Sequence, residues 1–254
     1  MSRLSIHSLQ VRIGNTEVCR DLSVEFEAGQ CWAILGRNGT GKTTLLHTLA
    51  GLREPQAGTV QLDGMALSAQ PRRSIARRLG LLPQDNHDAF PATVFETALL
   101  GRHPHLSPWG WESVEDHRLA RTALAQVGLA DWDERRIDTL SGGERRRLAV
   151  ATLLTQAPNI MLLDEPTNHL DLHHQIELLK LLSRQAQEQN KTLVMVLHDL
   201  NLAARFAGHC LLLYGDGDAC AGPCDSILET STLERLYNQP LRMVSNNPPA
   251  WLPE

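Results

Sequence analysis

The sequence contains no run of roughly 18 apolar residues, the length that a helix needs to cross a bilayer. It has no cationic start followed by an apolar segment, so no secretory signal is visible. It has no excess of basic charge. The formal net charge is -5, which excludes a global attractive field for nucleic acid. The short run Glu144-Arg145-Arg146-Arg147 reads as a solvated helix face that helps keep an anion nearby. Five cysteines, at 19, 31, 210, 220 and 224, show no metal-ligand spacing with histidine. An odd count in a chain with no signal suits reduced cytoplasmic thiols, and Cys220-x-x-x-Cys224 reads as incidental. No aromatic residue precedes Phe26.

What is present begins with Gly36-Arg37-Asn38-Gly39-Thr40-Gly41-Lys42-Thr43, a phosphate-cradling loop pattern. Cys31 to Leu35 before it is an apolar run suited to a buried strand. Lys42 to Ala50 after it reads as a helix stopped by Gly51. A glycine-rich turn there converges backbone N–H groups on an anion, and the helix N-terminus adds roughly half a positive charge. Lys42 would reach the β- and γ-phosphates. The Thr43 hydroxyl would ligate Mg²⁺, and Thr44 completes the nucleotide-binding set. By chance the pattern arises in roughly one chain of this length in a hundred.

Ile160-Met161-Leu162-Leu163 runs into Asp164-Glu165. A buried parallel strand delivers its C-terminal end to the ligand crevice of an open α/β sheet. Two carboxylates beside a triphosphate require a cation. Asp164 then holds Mg²⁺ and Glu165 orients or deprotonates the attacking water. Between these motifs stands Leu140-Ser141-Gly142-Gly143-Glu144. Ser141 and Glu144 form a capping box at the head of a helix from Arg145 to Leu154. A cap does not explain Gly142-Gly143, which cost stability in a first helical turn. Two bare residues there suit a phosphate that approaches the backbone.

Loop, signature and acidic strand in this order resemble the nucleotide-binding subunit of an ABC transporter, and the resemblance covers nearly the whole chain. It implies an α/β fold of the P-loop NTPase class. A RecA-like core with an antiparallel β subdomain spans 1–87 and 157–254, and an inserted all-helical subdomain spans 88–156. It implies ATP and Mg²⁺ as cofactors. Gln84, after Leu81-Leu82-Pro83, matches the family glutamine that touches Mg²⁺ and links core to helical subdomain. His198, ending Leu193 to Leu197, matches the switch histidine that holds the γ-phosphate. Ser141, Gly142, Gly143 and Asp171 match residues that contact nucleotide bound by the other copy. The commonest family signature ends in Gln, where this chain has Glu144. The family also stacks an aromatic ring on adenine. The matching place here is Ile13, so the base rests on aliphatic surface and its discrimination is looser.

Several stretches resemble the importer branch that handles iron-siderophore, haem and cobalamin complexes. They are Thr93-Val94-Phe95-Glu96 with Gly101-Arg102-His103-Pro104-His105, Leu170 to Gln175, and His198 to Arg205. The implied partners are a second copy of the chain, integral membrane permease subunits, and indirectly a periplasmic or extracellular substrate-binding protein, with no nucleic acid. The implied location is the cytoplasmic face of the inner membrane, held peripherally by the permease. The competing class is a soluble ATPase of iron-sulfur cofactor assembly. The lobe around Phe90 to Trp111 is expected to meet the permease, with Trp109 and Trp111 either exposed for docking or packed inside. His103, His105, His173 and His174 read as structural or interface residues.

The coarse element pattern is also readable. Residues 3 to 35 alternate as strands, with turns at Gly14-Asn15 and Ala28-Gly29. The β signal vanishes from about Asp88 to Gln156. Thr93…Glu96 and Ser113…Asp116 are capping boxes, and Gly128 stops a helix that starts near Glu115. Leu172, Ile176, Leu179 and Leu182 share one face of a helix from Asp171. The proline-rich tail from Pro240 is expected to wrap the surface.

Overall fold

The computed structural model describes residues 2–84, 91–107, 109–246 and 248–254. In chain order the elements begin with β1 (Leu4–Ile13), β2 (Thr16–Phe26), β3 (Cys31–Leu35) and α1 (Lys42–Leu49). β4 (Ala57–Leu62), β5 (Met65–Ala66), α2 (Arg72–Ala76) and β6 (Leu79–Leu82) follow. Three helices come next: α3 (Val94–Leu99), α4 (Val114–Gln126) and α5 (Gly142–Gln156). The α/β alternation returns with β7 (Ile160–Asp164), α6 (Leu172–Gln189), β8 (Thr192–Val196), α7 (Leu200–Phe206) and β9 (His209–Leu213). β10 (Ala219–Pro223), α8 (Cys224–Ile227), α9 (Thr230–Tyr237), β11 (Leu241–Asn246) and β12 (Pro249–Pro253) close the chain.

The central sheet has the order β10-β9-β3-β8-β7-β6. Every neighbouring pair is parallel except β9 with β10. All five residues of β3, β7 and β8 are buried, as expected where both faces of a parallel sheet are covered. Successive side chains take opposite faces. Trp32, Ile34, Leu162, Val194 and Val196 join α1 and the second sheet, whose order is β2-β1-β4-β5. Ala33, Leu35, Leu163, Leu193 and Met195 face the other way, into one cluster with residues of α3 to α6. Parallel pairing brings the C-terminal ends of β6, β7, β8 and β3 to one edge: Leu82 pairs Leu163, Asp164 pairs Val196, and Ile34 pairs Val196.

Between β6 and β7 no strand occurs among the described residues, only an isolated bridge between Thr93 and Arg136. Asp88 and Phe90, where the helical segment is expected to begin, lie outside the described residues. Helices α3, α4 and α5 each start on a complete capping box, in which Thr93, Ser113 and Ser141 pair with Glu96, Asp116 and Glu144. Asp116 also accepts from Arg102 Nε at 2.7 Å, which ties the turn after α3 to α4. The Ser113 hydroxyl and amide, and after them Arg102, pull the Asp116 carboxyl down to about 2.

Three expectations are corrected. Leu172 is 71 % exposed, because α6 starts beyond the edge of the core, and Leu178 takes its place in the buried face. The tail does not simply wrap the surface. β11 and β12 form an antiparallel hairpin in which Trp251 is 3 % exposed, and Asn201 on α7 bonds both its amide and its carbonyl. The arginine run is not a solvated face either. Arg146 is 4 % exposed, and Arg145 and Arg147 bond the backbone carbonyls of Leu140, Val127 and Gly128. All five cysteines are free thiols, and Cys210 and Cys224 meet at 3.0 Å inside the core. Among the described residues no helix is long and apolar enough to cross a membrane, and no histidine, cysteine or acid cluster could hold a metal ion by itself.

Candidate functional site

The loop from Gly36 to Gly41 joins β3 to α1 at the C-terminal edge of the sheet. Arg37, Asn38 and Gly39 form its exposed crown, while Thr40, Lys42 and Thr44 are buried. Gly41 has φ +92°, and a Cβ there would stand 2.4 Å from Val18 Cγ2, so both backbone and packing require glycine. It precedes α1 with no side-chain cap, which leaves the first amides of the helix as donors for an anion. Lys42 Nζ donates to the carbonyls of Gly36 at 2.9 Å and Arg37 at 3.0 Å. Burial pushes its pKa down, and the charges of Glu165 and Asp164 oppose that.

Asp164 ends β7 with 0 % exposure, and neither carboxylate oxygen has a hydrogen bond of normal geometry. Burial raises its pKa, countered chiefly by the Thr43 hydroxyl beside it. An unpartnered buried carboxylate is costly unless a cation satisfies it. Two oxygen donors at the mouth of an anion-binding loop are the hard ligands that Mg²⁺ prefers, so the residues present fit that ion. Glu165 follows in a left-handed conformation, φ +49°, a strained state that favours a held site over an ordinary turn. Its Oε2 accepts from Gln84 Nε2 at 3.0 Å and from Asn168 Nδ2, and its Oε1 meets His198 Nε2. The turns after β6, β7 and β8 thus bring Gln84, Glu165 and His198 together.

The second group of expected residues assembles elsewhere. Ser141 caps α5 with its hydroxyl accepting from Glu144 N at 3.3 Å, while Glu144 Oε2 accepts from Ser141 N at 2.8 Å. The loop after β7 packs onto the two glycines. A Cβ on Gly143 would stand 2.9 Å from the His169 carbonyl oxygen. Asp171 caps α6 and accepts from His174 N and Nδ1, both at 2.9 Å, which lowers its pKa. Ser141, Gly142, Gly143 and Asp171 line one open groove of about 520 Å³, and no residue of the Gly36–Thr44 loop lines it. Ile13 ends β1 opposite Thr16 with 42 % exposure, on the hairpin that also places Val18 against Gly41.

Two residues that sequence reading passed over sit between these groups. Arg146 Nη1 donates to the carbonyls of Pro83 at 2.7 Å and Gln84 at 3.2 Å, Nε to Pro166 O at 3.3 Å, and Nη2 to Asp164 O. It therefore ties the signature helix to both acidic and glutamine turns. Its spacing of four and seven from buried Val150 and Leu153 was the available signal. Asn168 gave none, because its bond to Glu165 depends on the turn that follows the strand.

The ABC transporter family matches residues 19–168 of the chain. The chain is 39 % identical over 254 residues to the ferric enterobactin transport ATP-binding protein FepC of Escherichia coli (strain K12), with 100 % of this chain and 93 % of that protein covered. It is 40 % identical over 213 residues to the iron(3+)-hydroxamate import ATP-binding protein FhuC of Bacillus subtilis (strain 168), covering 84 % and 79 %. An inward-facing structure of a metal-chelate-type ABC transporter superposes with TM-score 0.86 at 28 % identity, over 100 % of this chain and 98 % of that one. With this match extending over more than half its length, the chain belongs to the ABC transporter family, as an ATPase subunit.

Proposed function

We propose that this chain powers import of a metal chelate of the iron-siderophore, haem or cobalamin class, as a homodimer beneath a separate permease. The cargo class rests on what its relatives transport by name. None of the relatives named above supports the alternative of iron-sulfur assembly. In this reading the Gly36–Thr44 loop and Lys42 hold the triphosphate, and Ile13 lies beside the base. A divalent ion held by Thr43, Asp164 and Gln84 would offset the phosphate charge. Glu165 takes a proton from the attacking water. A carboxylate has about four lone-pair sites. Gln84, Asn168 and His198 engage three of them, which fixes the orientation and leaves one for water.

The separation of the signature groove from the phosphate loop supports a head-to-tail dimer. Ser141, Gly142, Gly143 and Asp171 of one copy then meet the nucleotide of the other. We divide the chain into a core of 1–87 and 157–254 and a helical part of 88–156. On the latter, Trp109 and Trp111 are 95 % and 89 % exposed, which favours docking to the permease over packing inside the lobe. Through it the subunit would sit at the cytoplasmic face of the inner membrane, with a substrate-binding protein delivering cargo from outside.

The observation that carries the mechanism is the three-sided hold on Glu165. Glu165→Gln is expected to keep ATP binding, lose most turnover and elute as a dimer with Mg-ATP in gel filtration. A monomeric variant with wild-type turnover would overturn the assignment.

A further inference from the structure

The signature of this chain carries an acid where an anion is to be recognised. Glu144 stands in the first turn of α5, three residues from Ser141, at the mouth of the groove. The amides there and the helix dipole attract a phosphate, worth roughly half a charge. A full carboxylate charge at the same place would cancel that attraction. The structure shows how the charge is contained. Glu144 Oε2 is turned back to the Ser141 amide and to Arg135 Nη2 at 3.2 Å. Arg135 is itself held from three sides. Its Nε donates to Thr139 Oγ1 at 3.2 Å, its Nη2 to Thr139 O at 3.1 Å, and its guanidinium lies 4.1 Å from the Trp132 ring centroid. Arg147, another cation near Glu144, donates to the carbonyls of Val127 and Gly128.

We propose that Arg135 is a positioning residue for the partner copy's triphosphate: it holds Glu144 in the capping geometry and neutralises it, so that the Gly142–Gly143 amides can donate to an anion. This rests on the reading that the signature acts across the dimer. The residue does not touch nucleotide. It acts through Glu144, and the two should behave as one coupled unit.

The test is a double-substitution cycle on the full chain. Arg135→Met keeps length and packing on Trp132 but removes charge. It is expected to raise KM for ATP about tenfold, the scale of one like charge within several ångströms at surface dielectric. High salt should recover part of the loss. Glu144→Gln keeps the capping box and should bind ATP at least as well as wild type. Arg135→Met with Glu144→Gln together should return KM to within about twofold of Glu144→Gln alone. Arg135→Lys should retain most function, which controls for folding. An unchanged KM in Arg135→Met, or an equal loss with and without Glu144→Gln, overturns the proposal. Ser141→Arg run in parallel separates the two levels. If it hydrolyses ATP normally, the trans reading fails. If it is inactive while Arg135→Met is normal, only the role of Arg135 fails.

Discussion

Asp164 makes the site's conflict between stability and function measurable. Its carboxylate is fully buried, neither oxygen has a hydrogen bond of normal geometry, and burial raises its pKa above the ordinary 3.8. Without Mg²⁺ the charged group costs folding free energy. Asp164→Asn keeps the shape and removes the charge. An unsatisfied buried polar group costs about 1–3 kcal/mol, and more when charged. The amide still lacks partners, so the net gain should be about 1–2 kcal/mol. For a chain of this size, about 2–4 °C per kcal/mol gives a rise in Tm of about 2–8 °C in EDTA at neutral pH. The pH dependence has a definite sign. An acid whose folded pKa is raised binds its proton more tightly when folded. Its penalty is absent below the unfolded pKa and grows as pH rises through the folded one. The advantage of the variant should therefore shrink on acidification towards pH 3.8. Mg-ATP at about one hundred times its Kd stabilises wild type by about 2.7 kcal/mol, so the order should reverse when nucleotide is added. Scanning calorimetry in EDTA and in Mg-ATP checks both halves. A variant less stable than wild type in EDTA, or an advantage that widens at low pH, would refute the reasoning.

Ser141→Arg places bulk and charge in the signature groove. It should bind nucleotide at its own Lys42 loop yet lose hydrolysis, whereas mere loss of a cap would cost about 1 kcal/mol of stability and leave turnover intact. Ile13→Tyr should tighten ATP over CTP by up to about 1–3 kcal/mol, the scale of base–aromatic stacking. Parallel titrations check this, and unchanged selectivity would show that Ile13 does not face the base. Asp116→Ala leaves the largely buried Arg102 without its anion and should cost about 3 kcal/mol in urea unfolding. Because the Asp116 pKa is lowered to about 2, its contribution is present above 3.8 and lost as pH falls towards 2. Wild type and variant should therefore converge at that acid limit.

The sequence by itself determined what depends on residues within about one helical turn of each other. The glycine-rich turn between strand and helix, the three capping boxes and the buried strands β3, β7 and β8 are set by adjacent side chains and their period. Order and spacing then sufficed to indicate the family. What only the tertiary structure decided involves partners far apart in the chain. Glu165 meets Gln84 across 81 residues and His198 across 33, because parallel pairing lines up the ends of β6, β7 and β8. Arg146 looked like one of several solvated arginines until the Pro83 carbonyl, 63 residues away, became its partner. Leu172 fits the apolar period of its helix, yet it is exposed because period does not say where a helix leaves the core. Pro249 and Pro253 stand at the two ends of β12, where a missing amide donor disrupts no interior ladder, so a strand could form despite them. Local patterns record a residue's own conformational preferences. Which distant carbonyl or carboxylate compensates a buried charge is fixed only when the sheet has aligned its strand ends.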